Sequence, residues 1–278
     1  MNEEKIKNLK DTIIDNIKGK NENINILVKN VTEENVILKY NETDTFVSAS
    51  IIKIPIMLAI LNEIANNTLK LDTIIKIQNE DILSDNECLK KDKLEYKIYD
   101  LIMWMITKSC NSSTNILIKY IGFDKINIYC KEIGLNVTKL ERYMLDEDAI
   151  KNGKNNYTSL NDMYRCFDLI VNKKILTSEL CDLALYYLYN QKVNNQIPRY
   201  IKGVKFAHKT GGLDYLNSDV GIFELNEQTY FIGISVYNTP TKEGDRQIVG
   251  KLSEIIYNYI NIKDKMKNKK TGFDVVAS

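Results

Sequence analysis

The sequence predicts an α+β chain in which two early strands and three late strands bracket a long helical insertion, with a helix at each end. Three observations predict it. Short runs of alternating β-branched residues occur only at 24–40 and 204–237, and apolar residues at helical spacing fill most of 96–190. Amphipathic helical periodicity marks both termini. With 278 residues, 44% of them hydrophobic, and three prolines, the chain is long enough to bury a substantial core.

Taken in order, Ile6, Leu9, Ile13, Ile14 and Ile17 lie on one face of a helix over 3–18. Strands over 24–31 and 35–40 follow, joined by the polar link Thr32-Glu33-Glu34 of a hairpin. From Ser50 the chain becomes apolar on nearly every side of a helix, Ile51 through Leu61, which belongs at a domain centre, and Pro55 sits near its first turn. Helices are then expected over 99–108, 113–121, 124–133, 160–172 and 178–190. Strands return at 204–210, 218–224 and 229–237, linked by turns containing Gly211-Gly212 and Asn226-Glu227, before a last helix over 244–260. The lysine-rich tail from Lys263 is expected to fray. This layout divides the chain into a discontinuous α/β sheet domain, 1–45 with 198–278, and an all-helical domain, 46–197.

Composition narrows the chemistry. Lysine plus arginine total 38 against 37 acidic residues, so no general field attracts nucleic acid or an anionic membrane. Five scattered cysteines without a C-x-x-C pair indicate reduced thiols, neither a disulfide framework nor a zinc site. His208 is the sole histidine, which removes multi-histidine metal sites, and no metal or cofactor is expected. The charged stretch 1–20 holds no apolar run of signal-peptide or membrane-span length, so the chain as given is expected in the cytoplasm. A small-molecule site on a monomer is the default.

Three motifs carry the chemistry. Ser50-Ile51-Ile52-Lys53 places a hydroxyl and an amine at i and i+3, facing each other across one helical turn, and burial would lower the lysine pKa until a neutral amine accepts the serine proton. Ser109-Cys110-Asn111 stands between two helices; Ser84-Asp85-Asn86 and Ser113-Thr114-Asn115 match the same loose pattern in less suitable places. His208-Lys209-Thr210-Gly211-Gly212 ends one strand just before its partner, and the amides of Gly212 and Ser50 would form an oxyanion hole. A second Lys270-Thr271-Gly272 lies in the polar tail with no strand after it.

This ordered set resembles the signature motifs of penicillin-binding proteins and class A β-lactamases, with 59 residues from Ser50 to Ser109 and 100 from Ser109 to Lys209. The resemblance spans about residues 3–262 and implies a five-stranded antiparallel sheet with an all-helical domain inserted after the second strand. It implies that Ser50 attacks a carbonyl, Lys53 takes or relays its proton, and Ser109 passes a proton to the leaving nitrogen. Lys209 and Thr210 would hold a substrate carboxylate, with Gly211 and Gly212 beside them, and Asn111 would bond the substrate's amide side chain. The implied substrates are β-lactams, hence a role in antibiotic resistance, or related small-molecule or peptidoglycan-like amides.

The chain departs from the family pattern at three places. Met144 falls where class A enzymes carry the glutamate that activates the deacylating water; Asp146, Glu147 or Asp148 would have to replace it, or else form a solvated acidic loop pairing with Arg142. Ser218 stands where many carry an arginine for the substrate carboxylate. Cys110 replaces an aspartate, with the expected loss of a structural hydrogen bond. Two other expectations therefore stand beside the hydrolase: a D,D-peptidase or cytoplasmic amidase or esterase, and a penicillin-binding sensor acylated without turnover. His208 is expected as a strand residue at the cleft edge.

Overall fold

A computed structural model describes residues 9–17, 23–237 and 241–274. The chain runs α1 (Leu9–Ile17), β1 (Asn23–Asn30), β2 (Asn35–Tyr40), β3 (Phe46–Val47), a 3₁₀ turn (Ala49–Ile52) and α2 (Lys53–Ala65). It continues through β4 (Ile74–Lys76), β5 (Glu95–Lys97), α3 (Ile98–Thr107), α4 (Asn111–Ile121), α5 (Phe123–Glu132), α6 (Glu147–Lys151), β6 (Tyr157–Thr158), α7 (Leu160–Val171) and α8 (Ser178–Tyr189). The last elements are β7 (Phe206–Leu213), β8 (Leu216–Leu225), β9 (Gln228–Tyr237) and α9 (Lys242–Asp274).

The five long strands form one antiparallel sheet in the order β2-β1-β9-β8-β7, so the fold is α+β with the insertion after the second strand. Strand alternation gives the sheet two apolar faces. Phe206, Phe223, Ile26 and Val28 join α1 and α9 in one core, whereas Ala207, Val220, Ile222 and Leu27 join the helical insertion in the other. Nine consecutive buried residues, Lys53–Leu61, make α2 the axis of that second core. Pro55, third in α2, costs nothing there because the first amides of a helix lack intrahelical acceptors.

The insertion is not purely helical: β3 pairs with β6, and β4 with β5, as two short ribbons. They were invisible to periodicity because two or three residues show no alternation. The last helix continues through the lysine-rich segment to Asp274, where a frayed tail was expected; long helix-forming side chains propagate a helix already nucleated on the sheet. Residues 3–8 and 18 of the first expected helix lie outside the described residues.

Candidate functional site

Ser50 sits in the 3₁₀ turn before α2, half-buried at the floor of a cleft of about 440 Å³ lined also by Asn111, Met144, Glu147 and Gly212. The helix proper begins at Lys53, so the expected single-helix geometry is instead a tight turn feeding a helix. Ala49, immediately before the serine, is held at φ +45°, a left-handed conformation costly to a residue with a Cβ. Strand β7 presses on this turn: a Cβ on Gly211 would stand 3.0 Å from the Ser48 carbonyl and 2.8 Å from Ser218 Oγ. Glycine is thus required at 211 for space, and that approach brings the Gly212 end of β7 to the same cleft as Ser50.

Lys53 is fully buried, and its ammonium donates to the Ser109 carbonyl at 2.6 Å, Ser109 Oγ at 3.1 Å and Asn111 Oδ1 at 2.7 Å. Burial lowers its pKa to about 7, and the opposing attractions of Cys110, Asp85 and Cys88 are smaller. Lys209 approaches from β7, donating to the same Ser109 Oγ at 3.0 Å and to the Thr210 carbonyl at 2.8 Å. Burial and then the neighbouring Lys53 hold Lys209 well below the usual lysine range, while Asp219 opposes them. Two buried amines therefore share one hydroxyl. A hydroxyl so placed is able to donate to whichever amine is neutral while accepting from the other.

The turn carrying Ser109 is also strained, at φ +56°, and closes on Trp104 through the amides of Lys108 (3.2 Å) and Cys110 (3.1 Å). At Cys110, where loss of a structural hydrogen bond was expected, sulfur accepts from the Ser113 amide at 3.5 Å and hydroxyl at 3.2 Å and so caps α4. In Ser84-Asp85-Asn86, set aside on sequence, two residues bond the motif that was preferred: Asn111 Nδ2 donates to Asp85 Oδ2 at 2.7 Å, and the Cys110 thiol donates to Asn86 Oδ1 at 3.7 Å.

His208 is not at the cleft edge. It alternates with Lys209 on β7 and so faces the α9 side, where it is 1% exposed, pairs with Asp219 at 2.9 Å and meets Asn194 Oδ1 at 3.0 Å. Thr210, opposite Asp219 in register, is buried beside it.

The loop at 139–157 is closed by a Lys139–Tyr157 bridge and held internally by Asn156, whose Oδ1 accepts from the amides of Glu141 and Arg142. Arg142 pairs with Asn155 Oδ1 at 2.9 Å and the Tyr143 carbonyl, not with an acid of the loop. Met144 is 7% exposed, and Asn115 clamps its backbone twice, accepting from its amide at 2.7 Å and donating to its carbonyl at 3.0 Å. Sequence reading dismissed Asn115 as part of a decoy; its distance of 29 residues from Met144 left no local signal. Of the three acids proposed to replace the glutamate, Asp146 caps α6 through Ala149, and Asp148, 89% exposed, pairs with Lys151. Glu147 alone among them lines the cleft.

Lys270-Thr271-Gly272 lies at the end of α9, outside the sheet. Among the described residues no group of three or more His, Cys, Asp and Glu is placed to hold a metal, and no helix is long and apolar enough to cross a membrane.

Residues 3–260 match the model of the beta-lactamase enzyme family. The chain is 26% identical to beta-lactamase VEB-1 of Pseudomonas aeruginosa over 268 residues, 87% of each protein. The fold is similar to that of a class A beta-lactamase from Bacteroides cellulosilyticus, at a TM-score of 0.82 and 21% identity over 91% of this chain and 97% of that one. It is also similar to a mutant of PBP-A in acyl-enzyme complex with penicillin G, at a TM-score of 0.80 and 23% identity over 91% and 96%.

Proposed function

The chain belongs to the beta-lactamase enzyme family, and from that membership we propose that it is a serine hydrolase that opens β-lactam or related amide bonds through an acyl-enzyme on Ser50. The observation that carries the proposal is Lys53: a fully buried amine with a pKa lowered to about 7, one turn from a cleft serine and bonded to both Ser109 and Asn111. Burying a lysine in that way is destabilising unless its neutral form is used.

In this reading Ser50 Oγ attacks the carbonyl as Lys53 Nζ takes its proton. The negative oxygen forms against the Ser50 and Gly212 amides. Ser109 gives its proton to the leaving nitrogen and recovers one from Lys53 or Lys209, both within 3.1 Å. Lys209, with Gly211 and Gly212 alongside, receives the substrate carboxylate, whereas Thr210 lies on the His208 and Asp219 face of β7, and Asn111 Nδ2 receives the substrate's amide side chain in place of Asp85. Deacylation falls to Glu147, with Asp146 and Asp148 already engaged.

Met144 favours a second reading, in which a penicillin-binding D,D-peptidase or sensor is acylated and released slowly, because a thioether activates no water. Intact-protein mass spectrometry after adding a penicillin separates the two. A transient adduct with accumulating hydrolysed drug supports the hydrolase, and a lasting adduct supports the second reading. Labelling that persists in Ser50→Ala removes Ser50 as the nucleophile.

A further inference from the structure

Cys110 and Cys88 stand beside the site but have no part in the reaction proposed for Ser50. Cys110 is buried in the turn between Ser109 and Asn111, and Cys88 is half-buried in the loop between β4 and β5. The two thiols influence each other electrostatically, each shifting the titration of the other. One oxygen fixes both segments: Asn86 Oδ1 accepts from the amides of Cys88 at 3.2 Å and Leu89 at 3.0 Å and from the Cys110 thiol at 3.7 Å. Two further bonds hold the same loop to the same turn, Leu83 amide to Ser112 Oγ at 2.9 Å and Asn111 to Asp85 at 2.7 Å. The Leu83–Ser112 and Asn111–Asp85 bonds hold the two segments together without either sulfur.

The two thiols are unequal. The hydrogen bond from Cys88, then those from Ser113 at the start of α4, and the Lys53 cation bring Cys110 down to about 6 against the opposing effect of burial. The same thiol contact and burial push Cys88 up. Cys130 and Cys166 are raised by burial in the helical core, and so is Cys181. Cys110 is thus the more readily ionised thiol of a neighbouring pair, the inequality that a peroxide-sensing nucleophile and its resolving partner require.

We propose that Cys88 and Cys110 are an oxidation site, at which a peroxide converts the pair to a disulfide that staples the 82–90 loop to the turn carrying Ser109 and Asn111. The Cys110 thiolate attacks one peroxide oxygen; the S–O bond forms, the O–O bond breaks and hydroxide leaves. Cys88 sulfur then attacks Cys110 sulfur; the S–S bond forms, the S–O bond breaks, and the Cys88 proton departs with the hydroxyl as water. The hydroxide takes up the proton that Cys110 released on ionising, so two thiols lose two electrons in all and the peroxide is reduced to two waters. A small-molecule dithiol reverses the closure by exchange.

The test is hydrogen peroxide added to the folded full chain, followed by denaturing alkylation and tryptic mapping. The expected result is loss of two hydrogens and a link between the peptides 77–90 and 109–119, reversed by dithiothreitol. In Cys88→Ser the link is absent and peptide 109–119 instead gains one oxygen that dimedone traps. Full alkylation of Cys88 and Cys110 after peroxide overturns the proposal, and so does oxidation that falls first on Cys130, Cys166 or Cys181. These are masses of thiol and disulfide, so they hold or fail whether or not Ser50 is acylated.

Discussion

Replacing Met144 by glutamate isolates what limits release of the acyl group. The side chain is 7% exposed in the cleft wall, and Asn115 fixes its backbone at both amide and carbonyl, so a new carboxylate starts from a positioned main chain. A placed general base contributes roughly 10²–10⁴ in rate, or about 3–5 kcal/mol of barrier at about 1.4 kcal/mol per tenfold. Burying a carboxylate in place of a thioether works against folding by about 1–3 kcal/mol. Pre-steady-state acylation and the lifetime of the penicillin adduct are the assays. Met144→Glu is expected to shorten the adduct lifetime by at least about 100-fold while the acylation rate changes little, because Ser50, Lys53 and Ser109 are untouched. An unchanged lifetime in a folded, normally acylated variant would refute the reasoning. If the parent chain already turns over quickly and Glu147→Gln stops it, the base lies in α6 instead.

Further consequences follow from the two lysines and the close strand. Acylation of Ser50 should rise with pH through about 7, where Lys53 loses its proton, and Lys53→Arg should remove acylation across the range because arginine stays charged. Asp85→Asn keeps an acceptor for Asn111 but removes a carboxylate that raises Lys53, so the acid limb of the acylation profile should move to lower pH. Stability has its own signature. The unfolded lysine titrates near 10.5 and the folded one near 7, so the unfolded state binds more protons between those values. The thermal-stability gap between Lys53→Met and the parent should then narrow as pH rises from 7 to 10, the parent gaining. Gly211→Ala places a methyl 2.8 Å from Ser218 Oγ and 3.3 Å from Ala49 Cβ, forcing β7 and the Ser50 turn apart. A shift of roughly half an ångström or more should slow acylation by about 10–100-fold in stopped-flow measurements, with the adduct still on Ser50.

What was legible in the sequence was whatever repeats on a short period or sits within a motif. Lys53–Leu61 reads as a buried helix because nine consecutive positions carry apolar groups or one lysine, and β7 to β9 read as strands because their inward positions alternate. The contacts that complete the site are long-range and polar. Asp85 meets Asn111 across 26 residues, Asn115 meets Met144 across 29, and His208 turns from the cleft only because Lys209 faces it. The first two leave no periodic trace, whereas the orientation of His208 follows from the two-residue period of a strand. Cys110 shows the converse error: a thiol in place of a carboxylate reads as a lost hydrogen bond, yet its sulfur still accepts from the helix start.

Backbone conformation ties these contacts together. Of the ten non-glycine residues with left-handed φ among the described residues, three stand at Ala49 before the nucleophile, at Ser109 between the amines, and at Leu145 after Met144. Each costs on the order of 1–3 kcal/mol in isolation. In each case surrounding contacts hold the chain: β7 against Ala49, the Trp104 carbonyl and Lys53 around Ser109, and the Asn115 clamp beside Leu145. Three separate segments are thereby bent to aim at one cleft. A Gly substitution at Ala49 or Leu145 would relieve strain and loosen aim together, so it should raise melting temperature or leave it unchanged while lowering acylation. A change of function without loss of fold is the mark of strain kept for positioning, whereas strain that merely accompanies packing would leave acylation intact.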